Sequence, residues 1–398
     1  MSGSKYSDTN RWLLPDGIEE FLPPQAERRE SLRSNLLALF QSWGYQLVAP
    51  PLIEYMESLL VGAGNDLEHE TFRLIDQATG RLMGVRADMT PQVARIDAHR
   101  LNREVPTRLC YMGAVLRASQ SGFTGSRSPF QIGAELYGHS GIESDLEVLH
   151  LMVKVLHAIG LKELYIDLGH VGIFRALAKG AGLNDDQVSV LFDALQRKAK
   201  PEISEFLSAL DITENYHRCL VSLADLNGDI QILEVARELF VNTNQGVNEA
   251  LDNLQAIADC AMKTLGSIPL NFDLAELRGY RYQTGVVFAA FVPGHGQEIA
   301  RGGRYDDIGS AFGHARPATG FSSDLNTLIA LTGPGKIRAS MIAAPWSDDE
   351  SLNVFIKELR SKGERVICML PGQKGSAGDM GCDRLIEQKA GNWQIVEI

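Results

Sequence analysis

Two short strings in this 398-residue chain carry residues that could act on sugars or phosphates, and neither has the surroundings that chemistry needs. Asp306 and Asp307 form an adjacent acidic pair of the kind that can hold ribose hydroxyls. Such a pair should follow a continuous apolar strand and open onto a phosphate loop of small residues. Here Arg304 and Tyr305 precede it and Ile308 follows, so the pair reads as structural. Gly333-Pro334-Gly335-Lys336 lacks the Gly-x-x-x-x-Gly-Lys-Ser/Thr spacing and the following helix of a phosphate loop, and reads as a linker. The nine histidines show no His-Glu-x-x-His or other ligand spacing, and no metal or cofactor is expected. Cys110, Cys219, Cys260, Cys368 and Cys382 form no Cys-x-x-Cys pair, which predicts reduced thiols and no disulfide.

The net charge of −12 argues against tRNA or another polyanion as the main partner, because phosphate contacts need clustered Lys and Arg. No run of about 18 apolar residues appears, and Met1 to Asn10 is polar, so a cytoplasmic protein without a membrane partner is expected.

The elements that would position a site follow from periodicity. Leu32, Leu36, Leu37, Phe40 and Trp43 recur at three- and four-residue steps and predict a helix over 25–43, stopped by Gly44. A short strand over 45–49 then meets Pro50-Pro51, which confines it to an edge. Runs 72–76 and 81–88 read as a hairpin. Runs 109–116 and 130–137 read as a strand pair joined by the Gly- and Ser-rich loop Ser119 to Pro129, too long for a tight turn and a candidate moving element. A helix is predicted over 145–159 and a strand over 165–168. From about 183 to 265 helical periodicity dominates and strand signals vanish, as in an inserted helical module. Strands return at 271–277 and 285–291, a helix is predicted over 323–331, and 332–336 reads as a linker. The remainder predicts strand 340–344, helix 349–362 and strand 365–370, a small α/β unit.

The order of these elements and several strings together resemble the class II aminoacyl-tRNA synthetase core, specifically the histidyl-tRNA synthetase family, over roughly 14–331. Gly44-Tyr45 through Pro51-Leu52-Ile53-Glu54 resembles the motif that builds the dimer interface. Val85-Arg86-Ala87-Asp88-Met89-Thr90 resembles the amino-acid-binding segment, with Asp88 where the family carries Glu. Tyr111 to Arg117 followed by Gln131-Ile132-Gly133-Ala134-Glu135 resembles the second class motif. Leu277 to Gly285 resembles the histidine signature, and Gly302-Gly303-Arg304-Tyr305-Asp306 with Gly320-Phe321 leads into the third motif. The resemblance implies an α+β fold, an antiparallel sheet flanked by helices, over 1–331 with the helical insertion at about 183–265, and a small α/β domain over 337–398.

A pocket for zwitterionic histidine needs carboxylates for its ammonium, a cation for its carboxylate and a polar partner for its ring. The resemblance assigns Asp88, Thr90, Gln131 and Glu135 to the ammonium and ring, Arg117 or Arg278 to the carboxylate, and Tyr282 to the edge of the imidazole. Taken one at a time these residues have ordinary readings: Asp88 could end a strand, Glu135 could face solvent, and Arg278 could pair with Asp273 or Glu276.

The departures from the family decide the function expected. Adenylation needs arginines and metal-binding carboxylates around ATP. The third-motif arginine is replaced by Thr327, and Asp324 stands where the family has glycine, a charge expected to repel a triphosphate. Ser119 replaces the Glu beside the adenine, Arg281 replaces an acid, and Gln283 replaces a second tyrosine. Only 67 residues follow Leu331, too few for the usual anticodon-binding domain. The chain therefore resembles most closely the regulatory subunits of short-form ATP phosphoribosyltransferase, whose Arg-x-Asp-Met-Thr-Pro-Gln string is matched by Arg86 to Gln92. That family implies no catalysis by this chain, a homodimeric core within a hetero-oligomer with the short-form catalytic subunit, histidine as allosteric ligand, and no tRNA. An active histidyl-tRNA synthetase and a scaffold with a vestigial pocket are the competing readings.

Overall fold

Short apolar runs bounded by proline, glycine and polar turns become strands. In chain order the larger unit, Met1–Gly333, carries β1 Gln46–Leu47, β2 Ile53–Tyr55, β3 Phe72–Ile75, β4 Leu82–Val85, β5 Thr107–Ala114, β6 Phe130–Tyr137, β7 Tyr165–His170, β8 Asn227–Gly228, β9 Leu270–Asp273, β10 Val286–Phe291, β11 Ala300–Arg304 and β12 Ala318–Asp324. The structure, a computed structural model, describes residues 12–61, 65–119, 126–277, 282–333 and 340–398. One sheet runs in the order β1-β5-β6-β12-β11-β10-β7-β9-β8. It is antiparallel throughout its centre and parallel only at β1–β5 and β7–β9. A separate small sheet, β2-β4-β3, includes the hairpin of β3 and β4. The α+β class and the edge position of β1 agree with the sequence reading.

Strand alternation gives the large sheet two different faces. Ile132, Ala134 and Leu136 of β6, Phe321 of β12, Phe288 and Ala290 of β10, and Ile166 and Leu168 of β7 lie in one apolar core. The Ile142–Ile159 helix contributes Val148, Met152 and Leu156 to it, and the Gln25–Ser42 helix contributes Leu36 and Phe40. Each fully buried Leu, Ile, Val, Phe or Met side chain among these contributes roughly 1.5–3 kcal/mol. The same face buries Arg304, which donates to Asp145 Oδ2 from Nε at 3.1 Å and Nη2 at 2.9 Å, to Ser144 Oγ at 2.9 Å, and to the carbonyls of His139 and Gly141. Asp306 accepts from Arg304 at 3.3 Å and from the Ala318 amide at 3.0 Å, which makes it a structural acid. The opposite face packs a second apolar cluster around Leu109, Tyr111, Tyr137 and Ala318, and beside it holds the polar candidate site.

The segment predicted as wholly helical departs from that reading at one point. Helices Asp185–Gln196, Lys200–Ser208, Glu214–Ser222, Ile232–Leu239 and Gln245–Thr264 are present, but Asn227-Gly228 is a two-residue strand that closes the sheet edge against β9. An Asn-Gly pair signals a turn by composition, and only the tertiary partner makes it extended here. The predicted helix over 323–331 begins later, at Leu325, because Ser323 and Asp324 remain in β12.

The second unit, Pro334–Ile398, contains β13 Met341–Ala344, a helix Glu350–Ser361, β14 Arg365–Cys368, β15 Arg384–Lys389 and β16 Asn392–Glu397. Its sheet order is β14-β13-β15-β16, with β13 parallel to both neighbours and β15–β16 an antiparallel hairpin. Ile342, Ala344, Leu352, Ile356, Val366 and Ile386 form its own core. Among the described residues of both units, no helix is long and apolar enough to cross a membrane.

Candidate functional site

On this second face, residues of matching register lie side by side across four strands. One row reads Tyr111, Gly133, Ser322 and Arg301, and the next reads Leu109, Glu135, Gly320 and Gly303. The glycines make room for the side chains of their neighbours. A methyl on Gly320 would fall inside the Glu135 carboxylate, and one on Gly133 would strike the Tyr111 ring and approach the Phe321 carbonyl at 2.7 Å.

Glu135 is 1% exposed. The Tyr111 hydroxyl donates to its Oε1 at 2.8 Å, and the Tyr305 hydroxyl donates to Oε2. With its proton committed to Glu135, Tyr111 accepts from the Thr90 hydroxyl at 3.0 Å. The Thr90 amide donates to Asp88 Oδ1 at 2.8 Å, and Gln131 Nε2 donates to the same oxygen at 2.8 Å. Gln131 Oε1 accepts from the Met89 amide at 2.9 Å. Asp88, Thr90, Gln131 and Glu135, all expected site residues, therefore belong to one continuous hydrogen-bond chain. Glu135 does not face solvent. Gln131, 5% exposed and bonded through both ends of its amide, orients Asp88.

Burial pushes the Glu135 carboxyl up from 4.5 to about 8, against the Tyr305 and Tyr111 bonds and with help from the Asp88 charge. Burial and the nearby Glu135 also raise the Tyr111 and Tyr305 phenols, so both stay protonated as donors. Among the described residues no group of three or more His, Cys, Asp or Glu could hold a metal ion.

The expected cations are placed differently. Arg117 lies 3.8 Å from Glu70 with 21% of its side chain exposed, outside the hydrogen-bond chain. Arg278 lies outside the described residues, as do Arg281 and positions 120–125 of the loop Ser119 to Pro129. Arg301, absent from the sequence reading, stands on the pocket face of β11 with 48% of its side chain exposed. Burial works against its cation, but coupling to the Tyr282 phenol and to the Glu298, Asp88 and Glu70 carboxylates outweighs it and raises its pKa. Tyr282 is 37% exposed, and burial raises its phenol while Arg301 opposes that and Asp88 adds to it. Tyr282 is thus coupled electrostatically to Arg301 and to the Asp88 and Glu135 carboxyls. Tyr111, Tyr305 and Arg301 were legible only as strand parity: each lies an even number of residues, or one register step, from a recognised position.

The far end of the face has become a helix cap. Asp324 Oδ1 accepts from the Phe130 amide at 2.9 Å and the Asn326 amide at 3.1 Å, while Oδ2 accepts from the Thr327 amide at 3.3 Å and the Thr327 hydroxyl at 2.6 Å. Asp324 thus caps the Leu325–Leu331 helix. The sequence reading treated Asp324 as a charge repelling phosphate. Its structural role is more specific, because Asp324 and Thr327 lock each other where the third motif would project an arginine.

Residues 17–328 match the Histidyl-tRNA synthetase family, and residues 339–396 match the ATP phosphoribosyltransferase subunit HisZ C-terminal domain. An ATP phosphoribosyltransferase regulatory subunit from Thioalkalivibrio sulfidiphilus is 56% identical over 394 residues, covering 98% of this chain and 100% of that protein. The chain belongs to the family of ATP phosphoribosyltransferase regulatory subunits. The family member from Alkalilimnicola ehrlichii is 54% identical over 396 residues, 99% of each chain. A solved ATP phosphoribosyltransferase regulatory subunit/histidyl-tRNA synthetase from Bacillus halodurans C superposes with a TM-score of 0.81 at 27% identity, covering 93% of this chain and 96% of that one. A histidyl-tRNA synthetase from Nostoc sp. PCC 7120, 19% identical with a TM-score of 0.78 over 97% of each chain, shares the fold. The regulatory-subunit family, and with it the α+β synthetase-like fold, is thus the one the sequence motifs indicated.

Proposed function

We propose that this chain is the non-catalytic regulatory subunit of ATP phosphoribosyltransferase, activating a short-form catalytic subunit and conveying feedback inhibition by histidine in the first step of histidine biosynthesis. The synthetase-like body, 1–331 with its insertion at about 183–265, carries the histidine pocket and forms a homodimeric core. The small domain 337–398 accompanies it, and tRNA is not a ligand. The observation that supports this reading is an amino-acid end and a nucleotide end with opposite fates. The chain from Glu135 through Tyr111 and Thr90 to Asp88 is intact, whereas Asp324 and Thr327 close on each other as a cap.

In this pocket the buried end receives the imidazole. Glu135 carries its proton up to about pH 8 and can donate to a neutral ring nitrogen, while Tyr111 and Tyr305 hold the carboxyl in place. Asp88, held by Gln131 and the Thr90 amide, receives the ammonium. Inhibition then requires that histidine bind one arrangement of the assembly more tightly than another.

Reconstitution tests the reading. Adding the chain to a short-form catalytic subunit should raise the rate at which ATP and phosphoribosyl pyrophosphate are joined, and histidine should reverse that rise. No change on adding the chain, or histidine acting equally on the catalytic subunit alone, would refute it.

A further inference from the structure

We infer that Arg301 is the residue that receives the carboxylate of the bound amino acid, an assignment that rests on the histidine-sensing reading above. Arg301 and Arg304 stand three residues apart on β11 and face opposite ways. Arg304 is 9% exposed and bonded to Asp145, Ser144 and two carbonyls. Arg301 is 48% exposed, and among the described residues its ion pair is with Glu298 at 3.6 Å. That is well beyond the roughly 2.7–2.9 Å of a formed charge-assisted bond. Its guanidinium fork is therefore open to a planar anion.

Its position matches the second end of a small zwitterion. Arg301 lies in the row of Tyr111, Gly133 and Ser322, two strands from β6. At about 4.8 Å per strand and about 3.4 Å per residue, its Cα is roughly 10 Å across and roughly 7 Å along from that of Glu135. Gly133, Ser322, Gly320 and Gly303 occupy the sheet between them, and the floor is formed by the side chains these glycines admit: the Tyr111 ring over Gly133, the Glu135 carboxylate over Gly320 and Gln283 over Gly303. Glu135 at 1% exposure marks a dry end, whereas Arg301 keeps 48% of its side-chain surface accessible at the rim of surroundings that partly desolvate it. An amino acid laid across this floor puts its ring at Glu135, its ammonium near Asp88 and its carboxylate at Arg301. Arg117, 21% exposed and facing Glu70 at 3.8 Å, is the less open of the two described cations. If Arg301 only neutralised Glu298, it would bind no ligand group and would show no preference for a carboxylate.

The test is calorimetric titration of the full chain with L-histidine and with histidinol, which keeps the ring and ammonium and replaces the carboxylate with a hydroxymethyl group. The wild-type chain should prefer histidine by about tenfold or more, the effect of a charge-assisted hydrogen-bonded pair. Arg301→Gln should abolish that preference by weakening histidine about tenfold while leaving histidinol within about twofold. Arg301→Lys, which keeps the charge without the fork, should retain part of the preference and carries the test if the glutamine variant does not fold. Loss of affinity for both ligands alike, or an unchanged preference in Arg301→Gln, would overturn the assignment alone. A wild-type chain that binds neither ligand would overturn the sensing reading together with it.

Discussion

Replacing Glu135 with Gln should remove a large part of the pH dependence of folding. The carboxyl is 1% exposed, and burial holds its proton from the ordinary 4.5 up to about 8. Between those values the folded chain carries a proton that the unfolded chain has lost. The folded state therefore binds more protons, and its stability falls as pH rises through the window, levelling above about 8. At about 1.4 kcal/mol per pH unit the ceiling is about 5 kcal/mol, and rearrangement around the charged form lowers it to a few kcal/mol. Glutamine is neutral at every pH and keeps a carbonyl to accept from Tyr111 or Tyr305. Asp97 and Asp145, whose carboxyls burial also raises, are present in both proteins and cancel in the difference. Urea unfolding at pH 5, 6.5 and 8, at fixed protein concentration, should show the variant gaining on wild type by a few kcal/mol from pH 5 to pH 8. Parallel pH profiles would refute the buried, proton-holding account of Glu135.

Three further substitutions probe separate links of the account. Asp324→Ala removes the cap of the Leu325–Leu331 helix and the bond to the Phe130 amide, and should cost about 2–3 kcal/mol in urea unfolding. Gly320→Ala places a methyl inside the Glu135 carboxylate, so histidine affinity measured by titration should fall at least about tenfold, with a stability loss of about 1–3 kcal/mol from overpacking. Arg304→Ala leaves Asp145, 2% exposed on its side chain, as an uncompensated acid, and should lower stability by about 3–5 kcal/mol by the same urea measurement.

The parts of the fold most legible in the sequence were those governed by local periodicity. The stripe from Leu32 to Trp43 gave a helix at Gln25–Ser42, and the apolar runs around Phe130 and Val286 gave strands. What periodicity missed depends on partners distant in sequence. Asn227-Gly228 is a strand only because β9 lies alongside, and β15 and β16 carry charged, partly exposed residues whose hydrophobic signal is weak. In the site, Asp88, Thr90, Gln131 and Glu135 were identified as a set, but the division of labour among them was not. That Gln131 positions Asp88, and that Tyr305, just past the end of β11, reaches across to Glu135, depends on register across β6, β12 and β11. Arg301 lies just before the Gly302-Gly303-Arg304-Tyr305-Asp306 string, and its parity with Gly303 becomes meaningful only once β11 faces the pocket. Asp324 reads as a repulsive charge in sequence and as a cap in the structure, since a cap is defined by where the strand ends.

Calorimetric titration of the full chain with L-histidine and, separately, with ATP tests the central claim most directly. The account predicts that histidine binds and ATP does not, with no histidine-dependent release of pyrophosphate from ATP. ATP binding accompanied by pyrophosphate release would contradict it, because Asp324 and Thr327 would then have left a working adenylation site in place.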